Sequence, residues 1–124
     1  LNKRTTKGAD MNIKRKYTFN PLTRYITKGI SERIPEPIVT KLWAILDTFL
    51  KTKLTKDYLQ VFVLKMTPTK IQIRHFQEEP AYEHEVSLEI TKADDPHSVI
   101  NEEEIKIYII DDEDHSTMLL AEEY

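Results

Sequence analysis

The residues of this sequence best suited to chemistry are His75 and His84, which flank a polar segment rich in glutamate. Two imidazoles can share a metal ion, or repel each other when both are protonated, provided the fold brings them side by side. The surrounding pattern brings them there. Ile71, Ile73 and His75 alternate with Lys70, Gln72 and Arg74, and further on Tyr82, His84, Val86, Leu88 and Ile90 alternate with Glu83, Glu85, Ser87 and Glu89. Both stretches read as half-buried β-strands. Pairing Gln77 with Tyr82 leaves residues 78–81 as the loop, sets Ile73 against Val86 and Ile71 against Leu88, and sets Arg74 against Glu85 and Lys70 against Glu89. A slip by one residue would oppose apolar and charged side chains, so hydrophobic and charge matching select the same register. His75 then faces His84, with Cβ atoms about 4.5 to 5.5 Å apart.

The candidate site is therefore His75, His84, Gln77, Glu78 and Tyr82, with Glu79 and Glu83 as further carboxylates within the same hairpin. No third metal ligand is specified by spacing, and the two rings can equally cap the end of the core and hydrogen-bond to backbone. No residue is assigned a catalytic, cofactor-binding or metal-ligating role, and no cofactor is expected.

Other signatures of chemistry are missing. The acidic run at 111–115 ends in His115, but an EF-hand loop needs alternating ligands, a glycine and a distant glutamate, so the run reads as a solvated turn. Two glycines in the whole chain cannot build a phosphate-cradling loop. Neither HExxH nor GxSxG occurs. The absence of cysteine excludes disulfides, thiolate metal sites and thiol nucleophiles, and fits a reducing compartment. An enzyme is thus disfavoured.

The net charge of −3 conceals a polarity. Residues 1–16 carry six basic groups against Asp10, residues 17–77 carry ten basic against four acidic, and residues 78–124 carry two basic against sixteen acidic. Part of this asymmetry cancels across the hairpin just described. Nucleic-acid binding needs a basic surface with stacking aromatics, and the acidic C-terminal third opposes it. No apolar run approaches the roughly 20 residues of a membrane span, and the basic N-terminal stretch is not followed by a signal-peptide core, so a cytoplasmic location is expected.

These candidates must be positioned by a small set of elements. Residues 1–16 read as a disordered basic arm, within which Met11 is a candidate natural start. Residues 17–124 suffice for one domain, which at this length removes roughly two-thirds of its unfolded surface from water. A short strand near 24–28 is expected to turn at Gly29. Pro35 and Pro37 suit the entry to a helix over 37–51, where Ile38, Leu42, Ile45, Leu46 and Phe49 recur at helical spacing, flanked by Val39 and Trp43. Residues 58–66 are apolar on both faces and mark a central strand. A polar loop over 91–103 precedes a strand through Ile105, Ile107 and Ile109, and the stretch 118–121 is apolar without a decisive period. The expected fold is α+β: a single domain with a mainly antiparallel sheet of four to six strands and one main amphipathic helix packed on a face.

Certain segments go beyond pattern. Residues 24–30 (RYITKGI), Ile34-Pro35, Leu42-Trp43, residues 57–62 (DYLQVF), His75 with Gln77-Glu78, Pro80 with Tyr82, and the stretch 116–124 together resemble a bacterial family numbered 960 among domains of unknown function. The resemblance covers about residues 24–124 and implies an origin in Firmicute bacteria, their phages or mobile elements. It implies no reaction, cofactor or partner. The function class expected is a non-catalytic interaction module that binds another protein or itself. The alternatives are a small-molecule or metal-dependent site at His75 and His84, and a nucleic-acid-associated protein.

Overall fold

A computed structural model describes residues 16–67, 69–89 and 104–124. The elements are β1 (Arg24–Ile26), α1 (Lys28–Arg33), α2 (Glu36–Leu50), β2 (Leu59–Met66), β3 (Lys70–Gln77), β4 (Tyr82–Glu89), β5 (Glu104–Asp111) and β6 (Ser116–Leu120), with 3-10 turns at Pro21–Thr23 and Ala121–Glu123. All but Lys16 of the expected basic arm, and the whole of the expected 91–103 loop, lie outside the described residues.

The strands form one sheet in the order β1-β6-β5-β2-β3-β4. β1 runs parallel to β6, and every other pairing is antiparallel. β2 is central, as its apolar run requires: Phe62 and Leu64 are buried on the helix face, and Val61 and Val63 on the opposite one. Helix α2 lies on the first face and buries Ile38, Val39, Leu42, Leu46 and Phe49. These side chains meet Phe62, Leu64, Ile71, Ile73, Ile105, Ile107, Ile109, Met118 and Leu120 in a single core. The fold is thus α+β, with a mixed, mostly antiparallel sheet and one main helix.

The β3–β4 register is the one the alternation selects: Gln77 pairs Tyr82, His75 pairs His84, Arg74 pairs Glu85 and Lys70 pairs Glu89. The Arg74 guanidinium nevertheless reaches diagonally to Glu83, at 3.4 Å, while lying over the Phe76 ring. The run at 111–115 closes the β5–β6 hairpin. Asp112 donates its N–H to the His115 carbonyl, and its side chain accepts from the N–H groups of Asp114 and His115.

The expectation for residues 24–29 is corrected. The strand stops at Ile26 and Gly29 sits inside α1. The cause is a side chain from the other end of the chain. Glu123 accepts from the Thr27 hydroxyl at 2.7 Å and from the Gly29 N–H at 3.2 Å, while Thr27 Oγ1 accepts from the Ile30 N–H at 3.3 Å, so the first turn of α1 is capped. A Cβ on Gly29 would stand 2.6 Å from the Glu123 carboxyl, which is why that approach suits glycine.

Arg24 fastens the N-terminal segment to the helix. Its guanidinium donates to both Asp47 carboxylate oxygens at 2.5 and 3.2 Å, to the Phe19 carbonyl at 2.8 and 3.1 Å, and lies 4.8 Å from the Trp43 ring centre. Phe19, fully buried at a positive φ of 48°, is held from the other side by its N–H to the Asp111 carboxylate at 3.0 Å. A left-handed phenylalanine costs about 1 to 3 kcal/mol and persists only because these bonds and its burial over-determine it.

Leu46→Ala is expected to cost about 2 to 5 kcal/mol in denaturant melts, because Leu46 is fully buried in the helix–sheet core. A loss below about half a kilocalorie per mole would contradict this helix docking.

Candidate functional site

Register alone treats β3 and β4 alike, but their places in the sheet differ. β3 lies inside, so alternate residues Ile71, Ile73, His75 and Gln77 are buried. β4 is the outermost strand and buries none of its residues. His75 and His84, although paired, consequently occupy different environments: His75 is 1% exposed, and His84 faces solvent.

His75 is enclosed by aromatic rings. It stacks on Phe62 with centroids 4.5 Å apart, meets Phe49 edge-on at 5.1 Å and meets Tyr82 at 5.6 Å. Tyr82 in turn stacks on Phe49 at 4.2 Å. Beneath these rings lies a chain of amides. Gln77 donates to the carbonyls of Thr55 and Pro80, leaving its side-chain oxygen to accept from the Asp57 N–H and from Gln60. Gln60 also donates to the Asp57 carbonyl, so its oxygen must face His75, 2.7 Å from Nε2. The proton of neutral His75 therefore resides on Nε2, and Nδ1 is buried without a hydrogen-bond partner among the described residues.

Protonating Nδ1 would bury a charge and a donor lacking an acceptor. Burial, and secondarily the proximity of His84, lower the His75 pKa to about 4. One ring nitrogen thus donates to Gln60, and the other is buried.

Of the five candidates, His75, Gln77 and Tyr82 come together in this assembly. His84 stands at the surface, and Glu78 is exposed in the hairpin turn. Among the described residues no three His, Asp or Glu side chains group so as to hold a metal ion. Gln60, the link between His75 and Gln77, is absent from the sequence-based set. Its signal was an amide ahead of the apolar run 61–64 in the central strand.

Two concavities border this region. One, about 400 Å³, runs between α2 and β4; Ile45, Phe49, Tyr82 and Val86 give it apolar walls, and His84 and Thr48 lie along it. The other, about 520 Å³, is lined by Lys16, Lys53 and Lys56 together with Tyr17 and Leu54. Lys56 is tied to the Thr52 and Leu54 carbonyls and lies over Phe49, and desolvation lowers its pKa.

The family described as "Staphylococcal protein of unknown function (DUF960)" matches residues 23–123. The chain belongs to this family. The match agrees with the resemblance read from residues 24–124. The crystal structure of a protein of unknown function from Enterococcus faecalis is similar in fold, with a TM-score of 0.68 at 24% identity over 86% of this chain and 95% of that one. Comparison with curated proteins gives no match. The family's description assigns no chemistry, and the likeness to the solved structure concerns the fold alone. No helix among the described residues is long and apolar enough to cross a membrane.

Between pH 4 and 6.5 the unfolded chain binds a proton at His75 that the folded chain does not, so stability rises with pH through that window. Its contribution is complete above about pH 6.5 and lost as pH falls toward 4, amounting to about 3 kcal/mol. Urea melts across this range should show the decline, flattened in His75→Gln, and NMR should place the His75 titration near 4. A midpoint near 6.5 would contradict the enclosed, neutral ring.

Proposed function

We propose that this DUF960 protein is a non-catalytic protein-interaction module whose docking surface is the outer strand β4 and the groove beside helix α2. The observation carrying this reading is that β4 ends the sheet: an eight-residue strand, unpaired on its outer side among the described residues, beside an apolar-walled groove. An edge of this length presents a row of backbone donors and acceptors that another chain can satisfy, with alternate side chains read by the adjoining surfaces. The enclosed His75 favours this reading over a metal or small-molecule site at the histidine pair, because its ring is buried against Phe49, Phe62 and Tyr82 while His84 stands at the surface. Exposed carboxylates along β4 disfavour nucleic acid at this surface.

The test starts with proteins retained from a staphylococcal lysate by the immobilised chain, followed by reconstitution of each with purified components. Ala44→Arg and Thr48→Arg add bulk to the groove at exposed helix positions, leaving the core intact. A true partner should lose at least about ten-fold in affinity for either variant, a difference of about 1.4 kcal/mol, and should slow amide exchange in residues 82–89. A reconstituted partner indifferent to both variants, with its protection elsewhere on the chain, would overturn the assignment.

A further inference from the structure

We infer that the outer edge of β4 takes up an extended segment of another protein in which lysine or arginine alternates with aliphatic residues, adding it to the sheet as a further strand. This rests on the reading of the chain as an interaction module and names the chemistry of the partner.

The side chains of β4 divide cleanly. Glu83, Glu85, Ser87 and Glu89 are exposed on the face away from the helix. Tyr82, His84, Val86 and Leu88 lie on the helix face, where Tyr82 and Val86 form one wall of the groove whose other wall is Ile45 and Phe49. A strand added about 4.8 Å outside β4 sets its own alternate side chains over these two rows. One set meets carboxylates; the other enters the groove.

The fold already contains a strand that meets these demands. On the inner side of β4 lies β3, with Lys70 opposite Glu89 and Arg74 opposite Glu85 on one face, and Ile71 opposite Leu88 and Ile73 opposite Val86 on the other. The side chains that select β3 point above and below the sheet, so they are presented equally to an outer neighbour. Arg74 engages Glu83, which leaves Glu85 and Glu89 as the main charge contacts for an incoming segment.

A second copy of β4 fits poorly at the same place. Two-fold antiparallel pairing of β4 with itself opposes residues of one face, and its well-overlapped registers set Glu83 against Glu89, Glu85 against Glu85, or Glu85 against Glu89. Like charges directly opposite are destabilising. The acidic row therefore guards the edge against its own kind and remains complementary to a basic strand.

The probe is a capped, fluorescently labelled peptide with the β3 sequence, KIQIRHFQ, added to the full chain. Its control carries glutamate at the lysine and arginine positions. The basic peptide should perturb the NMR amide signals of residues 82–89, bind at least about ten-fold more tightly than the acidic control, and weaken as salt rises. Glu85→Gln and Glu89→Gln should each weaken it roughly 1.5- to 5-fold. The two-peptide comparison on the unaltered chain stands even where a variant folds poorly. Equal affinity for both peptides, or perturbation confined to other strands, would overturn the inference. If the peptides fail in this way while a reconstituted natural partner still protects residues 82–89, the strand chemistry is wrong and the interaction surface stands. If that protection is missing too, both fall.

Discussion

One helix has to cover one face of a six-stranded sheet, and the geometry does not allow it to cover all of that face. Five inter-strand spacings of about 4.8 Å make the sheet roughly 24 Å wide, whereas a helix with its side chains is about 10 to 12 Å across. Helix α2 therefore sits over the interior strands and must be supplemented on both sides. Toward β1 and β6 the supplement exists: Phe19 fills the core, Arg24 ties it to Asp47 and Trp43, and α1 contributes Ile30. Toward β4 no comparable element is present among the described residues, and the groove between Ile45, Phe49, Tyr82 and Val86 is the consequence. The docking surface proposed for β4 and the groove follows from that shortfall.

The polar groups around His75 bind one another and the backbone at the end of this sheet. The His75–Gln60–Gln77 chain ends in backbone carbonyls and an amide of residues 55–57 and 80, stitching the segment after α2 to the β3–β4 turn. It fixes the end of the sheet where Phe49 and Tyr82 close over His75. A buried amide network is stabilising when its groups are satisfied, and among the described residues its atom without a hydrogen-bond partner is Nδ1 of a ring that burial keeps neutral.

What the sequence disclosed, and what it withheld, follows the range of the interactions involved. The β3–β4 register was legible because two independent alternations, apolar and charged, agree within one short hairpin. The centrality of β2 was legible because residues 58–66 are apolar in both phases. The helical start of α1 was hidden, since the carboxylate that caps it belongs to Glu123, 94 residues beyond Gly29. The parallel pairing of β1 with β6 was hidden for the same reason. The unequal fates of His75 and His84 lay in neither strand's pattern: an identical alternation gives a buried ring on an inner strand and an exposed one on an outer strand, and which strand is outer is a property of topology.

Strand addition to β4 is tested most directly by removing backbone donors from the incoming segment, because only a ladder distinguishes alternate amides. In an added strand every second N–H bonds to the sheet and the others point away. Two versions of the KIQIRHFQ peptide, N-methylated at alternate amides in opposite phases, should therefore differ: one phase should lose binding and the other retain most of it. Equal affinities for the two phases would contradict the assignment of β4 as the edge that receives another chain.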